Sequence, residues 1–261
     1  MLILLPPSET KRTGGVGAFD PRSLSRHDAL GEARAAVRSA LEAVSADEDA
    51  AVAALKLGVK NRGEREHNLA LGGSGVLPAI ERYTGVLYDA LDAESLDAAA
   101  RAWIDAHVAV QSALFGVIGA GESIPAYRLS AGSRLPSLGA PLKRVWNPAH
   151  SELDWGSAGL VLDLRSKDYA ALAPLPSDTG WFLNVVQRGA DGTVRALNHF
   201  NKAAKGDLVR RLATSLSAAG SELGTPDEVV EWGEANGLEF TVDPPAQTLT
   251  LVTDLGAPGS A

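Results

Sequence analysis

A chain of 261 residues with 24 basic and 32 acidic side chains carries a formal charge of −8. That charge gives no global attraction for polyanions, so any nucleic-acid contact must come from a local patch. The chain has no cysteine, which excludes disulfides, thiolate metal sites, cysteine nucleophiles and direct thiol redox sensing. Apolar residues are spread evenly with no long linker, which predicts one domain with a substantial core.

Leu2–Leu5 is predicted to be a short buried strand that Pro6 and Pro7 end at once. The opening MLILLPPSETK is apolar for only about five residues, too short for a signal core or a membrane span. A cytoplasmic protein without membrane association is expected. Ser8, Glu9, Thr10 and Lys11 then stand at the carboxyl end of a strand, where α/β proteins often contact ligands, or they merely turn the chain. Arg12 to Arg22, with its three glycines, reads as a loop.

Ser23–Val44 has apolar positions at helical spacing and is predicted to be a helix capped by Ser23 or Ser25. Asp47–Asp49 marks the next helix start, where carboxylates meet the positive end of the dipole. From Leu55 to Leu71 the pattern is helix, break at Gly58, helix, gathering Lys56, Lys60, Arg62 and Arg65. A helical hairpin of this kind could offer backbone amides to a phosphate; with Glu64 and Glu66 present, the same charges could form a solvated face. Gly72–Leu77 reads as a link and Ala79–Leu91 as a strand turning into a helix. Leu96–Gln111 is helical by periodicity, with Trp103 and Ile104 in the core. The histidines at 27, 67, 107, 150 and 199 have no ligand spacing, so neither a metal nor a cofactor is predicted.

Ser112–Leu135 is the least repetitive stretch. The apolar run Ala109 to Ile118 can end a helix or form a buried strand, and Gly119 and Gly121 impose a turn. Pro125 turns Ile124 towards an extended conformation, so Tyr127, Arg128 and Leu129 leave as strand or loop. Arg128 and Arg134 have no acid between Glu122 and Glu152 to neutralise them, and a guanidinium fork suits a carboxylate or phosphate. The alternative is a structural arginine tied to carbonyls or to an acid distant in sequence.

Leu142–Trp146 is predicted to be a strand broken by Asn147-Pro148, and Gly159–Leu164 another, ending in the polar cluster Asp163, Arg165, Ser166 and Lys167. Trp181–Gln187 and Thr193–His199 form a hairpin about Arg188–Gly192. Asn201 is expected to cap the next helix, placing Lys202, Lys205 and Arg210 near its positive end. Cations there oppose the dipole. A bound anion would resolve the conflict, and so would water or a neighbouring carboxylate reached by the long side chains. A helix over Pro226–Ala235 and a hairpin of Phe240–Val242 with Thr248–Val252 complete the chain.

Five blocks stand in the same order as in the YaaA family of peroxide-stress proteins: Met1–Lys11, Gly85–Tyr88, Ser112–Leu135, Leu160–Tyr169 and Phe200–Gly206. The most specific are LFGVI at 114–118, PAYRL at 125–129, GSRL at 132–135 and KAAKG at 202–206. The chain therefore resembles that family over nearly its whole length. Where the family often has Arg-Pro-Leu-Asp, this chain has Gly119-Ala120-Gly121-Glu122, and one basic position is missing. The resemblance implies a single α/β domain of unusual topology over 1–261, a mixed sheet with surrounding helices. It also implies a basic cleft, a helix-hairpin-helix element, DNA binding, and limitation of damage from peroxide and free iron.

Three functions follow for test. In the first, Arg128, Arg134, Lys202 and Lys205 line a cleft on DNA, with Lys56, Lys60 and Arg62 adding phosphate contacts and Ser8, Lys11 and Gly206 belonging to the same anion site. In the second, the chain is an enzyme on a nucleotide or nucleobase-like, phosphate-bearing substrate, with Glu9 as proton-transfer group. In the third, these residues form an internal polar network and function lies in protein contacts. The partner expected is DNA or a phosphate-bearing small molecule, and the protein is expected to be a monomer.

Overall fold

The computed structural model describes residues 1–188, 194–196 and 201–253. The apolar run β1 (Leu2–Leu5) becomes the centre of the sheet because all its neighbours can bury it: Ile3, Leu4 and Leu5 have no exposed surface. Helices α1 (His27–Ser45), α2 (Glu48–Leu55), α3 (Arg65–Leu69), α4 (Ala79–Arg82), α5 (Val86–Leu91) and α6 (Ala98–His107) follow, with the short strand β2 (Leu77–Pro78) before α4. Then come β3 (Val108–Ser112), β4 (Gly116–Gly119), β5 (Ser123–Ile124), α7 (Leu142–Ser151), β6 (Val161–Asp163) and α8 (Lys167–Ala170). The last elements are β7 (Gly180–Arg188), β8 (Val194–Ala196), α9 (Asn201–Ala219), α10 (Pro226–Ala235), β9 (Glu239–Asp243) and β10 (Thr248–Val252).

The main sheet runs β4-β3-β1-β6-β7-β10-β9, with β8 paired to the end of β7. Strands β3, β1, β6, β7 and β10 are parallel, while β4 and β9 close the two edges antiparallel. Two apolar strands flank β1 in register, Ile3 opposite Val108 and Leu162. This is the mixed α/β architecture expected. From β1 the chain crosses to β3 on one side and later returns to β6 on the other. The strand order therefore reverses beside β1, and in open α/β sheets that reversal leaves a crevice at the carboxyl ends of the strands.

Several expectations shift. Leu142–Trp146 is not a strand but the start of α7, because Leu142, Trp146 and His150, four residues apart, form one buried helical stripe; Pro148 lies inside this helix rather than ending it. The helix expected to reach Gln111 stops at His107, and Val108–Ser112, buried at every position, joins the sheet. No serine caps α1: it begins after Arg26 in the left-handed region (φ 57°), while Ser23 Oγ donates to the Asp20 carbonyl. Asp47 does cap α2, its carboxylate accepting the Ala50 N–H at 2.8 Å. Over Ala79–Leu91 two short helices replace the strand-to-helix pattern. The turn 189–193 and His199–Phe200 lie outside the described residues.

Candidate functional site

The loop after β1 carries the first functional group to the carboxyl end of the sheet. Lys11 pairs through its backbone with Tyr83, and its ammonium folds back to donate to the carbonyls of Ser8 (2.9 Å) and Glu9 (3.2 Å). It lies 4.1 Å from the centre of the Tyr127 ring and 5.4 Å from that of Tyr83, within the range of cation–π attraction. Burial, and then the Arg128 charge, pull its pKa from the usual lysine range down to about 7, against the opposing carboxylates of Glu64 and Glu9. Below it runs a buried hydroxyl chain, Tyr83 to Tyr127 at 2.8 Å and Tyr127 to Ser112 at 2.7 Å. Burial raises both phenols, so the chain stays protonated at neutral pH.

Arg128 is held at both ends. The buried Asn68 side chain clamps its backbone, Oδ1 accepting its N–H at 2.7 Å and Nδ2 donating to its carbonyl at 3.0 Å. Its guanidinium donates to Glu9 at 2.8 Å and to Glu64 at 3.1 Å. The acid that neutralises Arg128 is thus distant in sequence, and the fork expected to be open to a phosphate is occupied by two carboxylates. Arg128 is 9% exposed and Glu9 63% exposed at the side chain. Glu9 therefore stands at the rim, alongside Arg128 as expected and held there in an ion pair.

At the end of β6, Asp163 and Arg165 form a buried bidentate pair at 2.7 and 2.8 Å, and Arg165 also donates to the Ala173 carbonyl. Lys205, from the first turns of α9, reaches the same strand end and donates to the Leu164 carbonyl at 2.9 Å. It is 6% exposed, and burial lowers its pKa to about 8 while Asp163 opposes the shift. Lys202, one turn earlier, is exposed to solvent. Gly206 has a different role from the expected anion contact: α9 packs so closely on α5 that a Cβ there would overlap the Leu87 carbonyl oxygen.

The remaining cations lie beside these residues. Ala54, next to the carboxyl end of α2, accepts the Arg134 backbone N–H, and a side chain at Gly132 would stand 3.8 Å from Lys56 Nζ. The connection carrying Lys56, Lys60 and Arg62 thus runs alongside the 128–134 loop, and Glu64 and Asn68 tie the two together. Between α2 and α3 this connection holds a 3-10 turn over Val59–Glu64. Lys56, Lys60, Arg62 and Arg134 are exposed. Among the described residues only Arg62 of these four has a carboxylate within 4 Å, Glu48 at 3.9 Å. Ser8 Oγ contacts Thr10 Oγ1 at 3.2 Å on the same rim.

Asn68, Glu64, Tyr83 and Ser112 are site residues that local sequence patterns do not reveal, since each acquires its role from a partner far along the chain. Asp163 carried a signal, as a carboxylate at a strand's carboxyl end. Among the described residues no group of three His, Asp or Glu side chains could hold a metal ion, and no helix is long and apolar enough to cross a membrane.

A family model described as "Peroxide stress protein YaaA" matches residues 1–241. A UPF0246 protein of Corynebacterium efficiens is 40% identical over 257 residues, covering 97% of this chain and all of the relative. A UPF0246 protein of Streptomyces coelicolor is also 40% identical, over 250 residues, 95% of this chain and 94% of the relative. One from Lactobacillus delbrueckii is 34% identical over 140 residues, about half of each chain.

Proposed function

Because the chain belongs to the family of the peroxide stress protein YaaA, we propose that it acts in the peroxide stress response by binding DNA, so as to limit damage from peroxide and free iron. The observation that carries this reading is the group of three exposed cations without an anion partner among the described residues, Lys56, Lys60 and Arg134, on adjoining segments beside Arg128. With Arg62 they make a local positive patch on a molecule of net charge −8. Exposed lysine and arginine side chains not held in an ion pair are what a phosphate backbone requires, and their contacts position rather than read sequence. Arg128 supports the patch from below by fixing the loop that carries Arg134.

Release of counterions sets the expected magnitude. Four phosphate contacts give a slope of about −3.6 in log affinity against log salt, so affinity falls by about two orders of magnitude between 50 and 200 mM salt. Fluorescence anisotropy with duplex, bubble and single-stranded oligonucleotides measures this. Replacing Lys56, Lys60 and Arg134 together by alanine reduces the slope to about −1. In cells lacking the gene, that variant then fails to restore survival in peroxide. Absence of binding at low salt, or a slope unmoved by the triple substitution, removes the reading.

A second reading, an enzyme on a nucleotide or nucleobase-like substrate, is favoured by Lys11. An amine with a pKa near 7, close to a buried hydroxyl chain and a charged guanidinium, suits proton transfer at neutral pH. In this reading Lys11 takes the part first given to Glu9. Carbon-13 methylation of the lysines followed by an NMR titration reports the Lys11 midpoint directly. A midpoint near 7 supports the reading, and one in the ordinary lysine range ends it.

A further inference from the structure

A cavity of about 220 Å³ opens between α1 and the segment Phe19–Leu24, away from the residues assigned above. Helix α1 lines it with a single stripe, His27, Gly31, Arg34 and Arg38, spaced by three and four residues as one helical face requires. Gly31 lets the His27 imidazole lie against the helix, since a Cβ there would stand 3.2–3.4 Å from the ring atoms. The opposite wall is apolar. The Phe19 and Phe115 rings are 5.2 Å apart and tilted by 56°, and Leu24 lies with them.

The charge on this wall is unbalanced. Arg34 is buried and donates only to neutral carbonyls, those of Phe115 (2.8 Å), Ser25 (2.7 Å) and Val117 (3.2 Å). Among the described residues no carboxylate lies within 4 Å of it. The Nε–H of Arg38 is buried without any acceptor, and Glu42 approaches it only to 3.8 Å. A buried donor left unpaired costs about 1–3 kcal/mol, and the Arg38 side chain that carries it is 34% exposed on the cavity wall, so the wall offers a charge to an anion. Arg22 also lines the cavity. Asp20 is the one carboxylate among the described residues lining the cavity, and it accepts the Arg22 backbone N–H at 2.9 Å and so caps its own turn; Glu42 pairs with Arg38 at 3.8 Å and Glu122 acts on Arg34 through space.

We infer that this cavity is a binding site for a small monocarboxylate with a flat apolar body, its carboxylate on the part-exposed Arg38 guanidinium and beside Arg34, its body against Phe19 and Phe115. The volume corresponds to about seven waters, room for one ring with its acid group. A guanidinium fork suits a carboxylate or a phosphate, and it is the aromatic wall that selects a planar apolar body, which inorganic phosphate does not have.

Calorimetric titration of the full chain tests the site, with benzoate as probe and with benzamide, the same shape without charge, and inorganic phosphate as comparisons. Benzoate is expected to saturate at about millimolar concentration. Benzamide and phosphate should each bind at least tenfold more weakly. Arg38→Gln weakens benzoate at least tenfold, and Arg38→Lys, which keeps the charge without the fork, falls between. Ala35→Phe, at an exposed position on the cavity rim, blocks benzoate while leaving the melting temperature unchanged, which separates occlusion from misfolding. The Lys56, Lys60 and Arg134 triple variant binds benzoate normally, so this site and the DNA reading fail independently. No saturation by benzoate, equal binding of benzamide, or indifference to both Arg38→Gln and Ala35→Phe overturns the inference.

Discussion

At the scale of single residues, the buried polar groups are ones whose protonation state the fold dictates. His150 is 1% exposed; its Nδ1 donates to the Trp146 carbonyl at 2.8 Å, and Nε2 accepts the Val117 N–H at 3.2 Å. A second ring proton would point at another donor. Burial, with Arg165, Arg34 and Arg26 nearby, accordingly lowers the pKa to about 4. The unfolded chain binds a proton near pH 6.5 and the folded chain only near 4, so the unfolded state holds more protons between these values. Stability is then full above pH 6.5 and declines towards pH 4, with a slope of up to about 1.4 kcal/mol per pH unit from this group. Urea unfolding at a series of pH values measures it, and His150→Gln flattens that window. A slope unchanged by the substitution would place the acid sensitivity elsewhere. Much of this level was illegible in the sequence. The partners of Arg128, Glu9 and Glu64, lie 119 and 64 residues away, and no local pattern encodes such a pairing.

At the scale of elements, two glycines and three helices show where local chemistry suffices and where packing decides. Gly85 opens α5 at φ 95°, a conformation that favours glycine. Gly206 sits where α9 presses on α5, and an alanine there would meet a backbone oxygen that cannot move aside cheaply. Gly206→Ala is expected to destabilise the protein by about 1–3 kcal/mol. Thermal unfolding reads this as a fall of several degrees, with DNA affinity at low temperature retained. A variant that melts normally but loses DNA would return Gly206 to the binding surface. The capping of α2 by Asp47 and of α10 by the Thr225–Glu228 box follows from local chemistry, which a sequence displays directly. The helical identity of Leu142–Trp146 does not. Five residues of mixed pattern fit a strand as well as a helix until the next buried position, His150, reveals a spacing of four.

At the scale of the whole molecule, the reversal of strand order beside β1 brings the β1 loop and the ends of β3 and β6 to the same carboxyl edge of the sheet. That convergence places Lys11, Ser112, Asp163 and Lys205 at neighbouring strand ends although they span some 200 residues of sequence. The large apolar side chains exposed among the described residues are four, Val16, Val59, Leu69 and Val86, and singly exposed apolar side chains are ordinary for monomers. The edge strand β9 carries Glu239 and Asp243, charges that discourage pairing with another sheet. The protein is expected to sediment as a single species of 27.1 kDa at micromolar concentration. A stable dimer in that experiment would contradict the expectation.

The sequence by itself determined the strand Leu2–Leu5, the helix start marked by Asp47–Asp49, the helix over Pro226–Ala235, the family, and the segments on which the basic residues stand. Each of these depends on neighbours within a few positions, or on motifs read in order. Only the tertiary structure decided which cations are spent and which are available. Arg128 is neutralised by two carboxylates and Lys205 is buried at a strand end, whereas Lys56, Lys60 and Arg134 are exposed without an anion partner among the described residues. The physical reason is that charge acts through space over a few ångströms, and which charges come that close is settled by the packing of the sheet.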